Sequence, residues 1–417
     1  MHIVLINHYA GSPTHGMEFR PHQLAARWVE RGHEVTIAAG SWSHLRNLNP
    51  TAEDRVTEER IDGIRYRWYR TTDYRGNGLR RLWSMRQFTR HLAWDRGRFF
   101  RHHPPDCVIA SSTYPFDVRP AAKIADDHDV PLIWEVHDLW PLSQIELYGF
   151  DRHHPFVILT GRAEKFACRR ADRVVSILPK ADEHLRTRGM PSDRYVHIPN
   201  GICPSESTQA LSEPPLEEAV GIVERARQEG RLVVGYTGGH APNHDLETLL
   251  KAAAKVDKDR FCFVLIGSGP SKRGLIDQAR KADLTNVHFL DRTTRGRALP
   301  TLSMMDAAYV GISKGPLYRF GIGLNKIFDA MFVAKPIVAA YTAGNDPVGD
   351  CDCGFASPAS DVDGVADALR RLADMDQPLR RAMGERGRAH VLEHHDYRRL
   401  ADRFLEEIRM AGETIRP

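Results

Sequence analysis

Long apolar runs are missing from this chain. No stretch of about 18 consecutive apolar residues occurs, so no membrane-spanning helix is expected. Cysteine is sparse. Cys107, Cys168, Cys203, Cys262, Cys351 and Cys353 are scattered, as in a protein kept in a reducing cytoplasm rather than one stapled by disulfides. Cys351-Asp-Cys353 is a close pair, but no second pair stands at zinc-ligand spacing, so no metal site is expected. Tandem repeats and low-complexity tracts are absent, which argues against a solenoid. The opening Met1-His-Ile-Val-Leu-Ile-Asn7 is too short and too poor in basic residues for a secretory signal, and reads as a first strand. The loop after it carries Gly16 near the next helix but does not make G-x-G-x-x-G, so a simple dinucleotide fold is not indicated.

What is there is a globular composition. The chain has 417 residues, 42% hydrophobic and 27% charged, enough for two or three domains. Buried-strand patterns at 2–7, 35–39, 106–110, 131–136, 173–177 and 195–198 alternate with helical ones. Prolines at 204, 214 and 215 mark a surface linker near 203–216. The alternation then restarts, with strands at 232–236, 261–266, 287–290, 306–312 and 337–340 and helices to the end. This is an α/β chain built of two parallel sheets.

Residues 315–340 organise the second half. A strand leads into a loop containing Gly315, Gly321 and Gly323. Asn325 reads as an N-cap, 326–332 as a helix and 337–340 as the next strand. Ligands of open α/β sheets bind at such strand ends, and a helix N-terminus attracts phosphate. Lys326 and Asp329 share a helix face. The ammonium would neutralise phosphate and the carboxylate would accept ribose hydroxyls. An ordinary capped helix with a solvated Lys–Asp pair is the other reading.

Residues 64–103 carry eleven arginines against Asp73 and Asp95, interleaved with aromatics. The span 79–100 reads as an amphipathic helix whose Arg80, Arg81, Trp83, Arg86 and Arg90 suit an anionic membrane surface or a lipid-phosphate acceptor. A solvated core-packed helix or single-stranded nucleic acid are the competing readings, and no nucleic-acid motif accompanies the patch. His137-Asp138 stands at the tip of the 131–136 strand. Asp138 could orient the His137 ring or cap the next helix.

Asn325-Lys326-Ile327-Phe328-Asp329-Ala330-Met331, followed by Ala334-Lys335-Pro336-Ile337-Val338, resembles the donor-binding motif of family-4 (GT4) retaining glycosyltransferases. It is most similar to the bacterial polysaccharide and O-antigen subgroup that transfers amino sugars. The resemblance implies a GT-B fold, two Rossmann-like domains facing a central cleft. They would span 1–203 and 204–390, with a last helix, 391–417, packing back on the first. It implies transfer of a sugar, which could be N-acetylated, from a nucleoside diphosphate, UDP in the first place. The acceptor would be a glycan or polyprenyl-diphosphate-linked glycan of the cell surface. Asp329 stands where the family has its ribose-binding glutamate, and Gly321 where it has an earlier one. His137 and Lys326 are implied as catalytic. Gly16, Gly238, Gly239, His240, Lys272, Arg292, Arg319, Asn325 and Asp329 are implied around the donor. His240 and His244 take the places of the family's diphosphate-binding arginine and lysine, and Met17 that of a second glycine. No cofactor beyond the nucleotide sugar, no metal and no nucleic acid are expected, and the implied location is cytoplasmic, peripheral on the inner membrane face. A GT-B nucleotide-sugar 2-epimerase and a non-enzymatic basic membrane-associated module are the alternatives.

Overall fold

A computed structural model describes residues 1–16, 19–76 and 78–415; Met17 lies outside the described residues. The chain forms two compact units, 1–200 with 397–417, and 201–396.

In the first unit, His2–Ile6 (β1), Glu34–Gly40 (β2), Val56–Ile61 (β3), Ile64–Tyr69 (β4), Cys107–Ala110 (β5), Leu132–Val136 (β6), Arg173–Ser176 (β7) and Tyr195–His197 (β8) make one sheet. Its order is β3-β4-β2-β1-β5-β6-β7-β8, parallel except for the β3–β4 pair. β1, β5 and β6 are buried at every residue, because helices cover both faces of a parallel sheet. The closing helix Tyr397–Ile415 belongs here. Leu400, Phe404 and Ile408 are buried in the core with Ile3, Leu5 and Trp28, each contributing roughly 1.5–3 kcal/mol relative to exposure. The Trp28 indole N–H donates to the Ala401 carbonyl at 3.1 Å.

The second unit holds Leu232–Thr237 (β9), Phe261–Ile266 (β10), Val287–Leu290 (β11), Ala307–Gly311 (β12), Ile337–Ala340 (β13) and Gly354–Ser357 (β14). They form a parallel sheet in the order β11-β10-β9-β12-β13-β14. The unit limits fall at 200 and 397 rather than at 203 and 391. Ile202 pairs with Asp396, and Val391 is buried in the second core.

Two features depart from the sequence reading. β3 and β4 form an antiparallel hairpin closed by Asp62-Gly63, with φ of 51° and 78°, instead of continuing the strand–helix alternation. The basic segment is also divided. Arg67, on β4, is buried and pairs with Asp95 at 2.7 Å, while the helix Leu79–Asp95 buries Met85, Phe88 and Leu92 and exposes its other face.

Strand order reverses between β1 and β5 in the first unit and between β9 and β12 in the second. Loops at the carboxyl ends of strands beside such a reversal form a crevice. In the first unit these loops begin at Asn7 and Ser111, in the second at Gly238 and Ile312.

Candidate functional site

In the second unit the crevice is built on glycine. Gly238, just past β9, has φ +149°, and a Cβ there would stand 2.8 Å from the Lys326 ammonium. Lys326 is the second residue of the helix Asn325–Phe332. Its Nζ donates to the Tyr236 hydroxyl at 2.9 Å and lies 3.4 Å from His244 Nδ1. Burial lowers the Lys326 pKa from 10.5 to about 8. His240 and His244 are lowered to about 4, first by burial and then by the neighbouring cations. Two neutral histidines and a desolvated ammonium therefore share one spot, an arrangement that an anion would stabilise.

The helix begins one residue earlier than the sequence suggested. Leu324 is the N-cap, Asn325 is the first helical residue and is exposed, and no side chain caps the helix. The N-cap Leu324 therefore offers no side-chain acceptor to the first turn, which suits binding an anion there. Asp329, one turn on, accepts from Arg295 Nη2 at 2.9 Å. Lys326 thereby reaches the loop after β9, and Asp329 the segment after β11. Gly321 has φ +107°, a conformation that would strain a glutamate.

His240 is fully buried. Its backbone binds Ser268 and Ser271 of the loop after β10, and neither ring nitrogen has a hydrogen-bond partner. Gly239 lies beside His244. The Lys272 ammonium is engaged by the Gly267 and Leu290 carbonyls and by Asp291, at 2.7–3.0 Å, so it ties β10 to β11. Arg292 is exposed beyond β11. The Arg319 guanidinium lies 4.2 Å over the Phe320 ring.

The first unit holds His137 and Gly16. His137 Nε2 lies 2.9 Å from Ser111 Oγ and 3.1 Å from Glu135 Oε2. Glu135, not Asp138, orients the ring. Asp138 accepts instead from Leu139 N and Trp140 Nε1 of its own loop and from Ser143 Oγ of the short helix Leu142–Glu146. Glu135 is fully buried and receives Arg20 Nε at 2.9 Å. Burial alone would raise its pKa; Arg20, His137 and Ser111 together overcome that and hold the carboxyl below its usual range. Nearby Asp117 is buried, accepts from Ser112 N at 3.1 Å, and is raised by burial to about 7. Sequence reasoning missed Glu135 and Asp117. An acid inside the apolar run Leu132–Val136 was the available signal, since a buried carboxylate needs partners. Gly16 has φ +73° and packs under the Asn47 amide.

Of the basic helix, Arg80, Trp83, Arg86 and Arg90 are exposed. Arg81 turns inward instead. Its Nε donates to the Tyr9 hydroxyl at 3.2 Å, and its guanidinium lies over the Tyr9 and Trp140 rings. No described helix is long and apolar enough to cross a membrane.

Residues 15–201 match the family model described as a glycosyl transferase 4-like domain, and residues 231–375 match glycosyl transferases group 1. Among solved structures, sucrose-phosphate synthase from Thermosynechococcus elongatus superposes with a TM-score of 0.71 at 18% identity, over 99% of each chain. Anabaena HepE in complex with UDP and glucose gives 0.64 at 17%, over 97% of this chain and 98% of that one. The E. coli trehalose-6-phosphate structure bound with UDP-2-fluoro glucose gives 0.71 at 12%, over 98% and 99%. At these identities the likeness establishes the fold, two parallel-sheet α/β domains of the GT-B type. No curated protein matches the chain.

Proposed function

Because the chain carries a glycosyl transferase 4-like domain followed by a glycosyl transferases group 1 domain, we propose that it moves a sugar from UDP to a glycan or polyprenyl-diphosphate-linked glycan, with retention at the anomeric carbon. The observation that carries this reading is Lys326. It sets a desolvated cation against Gly238 at the start of a helix without a side-chain cap. A diphosphate bound there takes the ammonium and the helix amides together, and both strengthen as charge builds on the leaving group. Asp329, paired with Arg295 of the segment after β11, is the acid assigned to the ribose.

In the first unit, His137 is assigned to the reaction centre, its ring fixed by Glu135 and Ser111. The attacking hydroxyl would approach from the face that the diphosphate leaves, with the leaving phosphate taking its proton. A two-carboxylate scheme would need an accessible acid nucleophile. Glu135 is already paired with Arg20, and Asp117 is buried.

UDP-linked hexoses head the donors, N-acetylated ones among them, by resemblance to the amino-sugar subgroup. The exposed Leu79, Trp83, Arg86 and Arg90 recur at helical spacing on one face. That face supports peripheral attachment to an anionic leaflet on the cytoplasmic side, where a lipid-linked acceptor would be presented.

The test is calorimetry with UDP, followed by product analysis with UDP-hexoses and UDP-N-acetylhexosamines. UDP should bind the wild type, and Lys326→Ala should lose turnover while keeping its melting temperature. Undiminished turnover in Lys326→Ala, or no binding of UDP to the wild type, would overturn the reading.

A further inference from the structure

A cavity of about 820 Å³ opens in the first unit beyond the carboxyl ends of β2 and β4. Trp42 follows β2, Arg70 follows β4, Arg55 precedes β3, and Gln87 and His91 come from the helix Leu79–Asp95. None of these residues takes part in the donor or His137 sites. We propose that the cavity is a saccharide subsite. It would hold sugar units of the acceptor that lie well away from the reacting hydroxyl, so that the acceptor is an already extended glycan. This rests on the transferase reading above.

Size comes first. The volume falls within the roughly 300–1,000 Å³ of small-molecule sites. Charge narrows the ligand. Arg55 and Arg70 share the lining with Glu53, Asp54 and Asp73. A phosphate or carboxylate would meet three acids there, and a cation would meet two guanidinium groups. A neutral polyol donates and accepts at every hydroxyl and suits such a mixed wall. Trp42 adds a platform. Its indole N–H donates to the Tyr74 carbonyl at 3.3 Å, which fixes an aromatic ring against which the apolar C–H side of a pyranose can pack.

Position then gives the length of the acceptor. β4, β2, β1, β5 and β6 lie side by side in that order, and His137 follows β6. With adjacent strands about 4.8 Å apart, the ends of β2 and β4 lie on the order of 14–19 Å from that of β6. A single sugar ring cannot touch both places; a chain of several can. Earlier glycosyl transfers must therefore supply the substrate, and this enzyme would extend it.

The experiment applies the full-length protein to a printed array of mono- to hexasaccharides from bacterial surface polysaccharides, with UDP calorimetry on the same samples. Oligosaccharides should bind and monosaccharides should not. Trp42→Ala should weaken binding by about tenfold, one strong contact by the usual conversion. Arg70→Ala, at an exposed position, should keep the fold and weaken binding severalfold. UDP affinity should not change in either variant. Binding independent of saccharide length, full binding by both variants, or UDP binding with no glycan bound would overturn the subsite while leaving the transferase reading intact. Glycan binding without UDP binding would instead sustain the cavity and remove the transferase.

Discussion

The ammonium of Lys326 and the α-carbon of Gly238 occupy adjoining space, so that any side chain at 238 would press on Nζ. Gly238→Ala should displace the ammonium from Tyr236 and strain a backbone held at φ +149°. UDP affinity should fall about tenfold or more, the roughly 1.5–3 kcal/mol of a hydrogen bond to a charged group. The melting temperature should drop only modestly. Calorimetry on the purified variant checks this, and an unchanged dissociation constant would remove Lys326 from the phosphate.

The same ammonium predicts a pH dependence. Burial holds its pKa near 8, against 10.5 for an ordinary lysine. Between those values the unfolded chain binds more protons than the folded one. The unfavourable contribution of this group therefore fades as pH rises from about 8 to 10.5. A bound diphosphate favours the charged form, so UDP affinity should fall as pH rises through about 8, with a proton taken up on binding in that range. Lys326→Arg stays charged throughout and should flatten the profile. Titrations from pH 7 to 9 in buffers of differing ionisation heat measure both effects. A level affinity for the wild type over that range would contradict the assignment.

Much of the fold was legible because strands buried on both faces read as unbroken apolar runs, as in Phe261–Ile266. The strand–loop–helix of residues 307–332 was legible because glycines stand between an apolar run and a helical one. What escaped depended on distant partners. Glu135 acquires its meaning from Arg20, 115 residues away, whereas Asp138 stood next to His137 in sequence and turned to its own loop. Arg81 looked like its exposed neighbours until Tyr9 and Trp140 came up beside it. The β3–β4 hairpin did carry a local signal, Asp62-Gly63 between β-rich runs, and was overlooked in favour of the prevailing alternation.

That division of the basic helix would separate stability from the proposed membrane attachment. Arg81→Ala removes the Tyr9 hydrogen bond and two ring contacts, and should destabilise the first unit by about 1–3 kcal/mol. Arg86→Glu with Arg90→Glu alters exposed positions and should leave stability within about 0.5 kcal/mol per site. The pair should nonetheless abolish sedimentation with vesicles containing anionic lipid, each arginine near such a surface contributing about 1 kcal/mol. Thermal melts and vesicle sedimentation on both variants give the comparison. If the double charge reversal still sediments with anionic vesicles, the exposed face is not the attachment surface.

The buried Arg20–Glu135 pair offers the sharpest contrast between structure and chemistry. Glu135→Gln leaves a buried guanidinium without its counter-charge and should cost about 3–5 kcal/mol. UDP affinity should persist in the folded fraction, because the donor contacts assigned above lie in the second unit. His137→Asn keeps the Arg20–Glu135 pair; it should melt close to the wild type, bind UDP equally well, and fail to transfer sugar. Acid should separate the variants further. The Glu135 carboxyl is held below its usual range, so its stabilisation is fully present above about pH 4.5 and lost as pH falls below that. Glu135→Gln should therefore lose much of the wild type's acid sensitivity in the first unit, and the two melting curves should converge toward low pH. Parallel losses of stability in wild type and variant from pH 5 to 3 would show that this carboxylate does not govern acid unfolding.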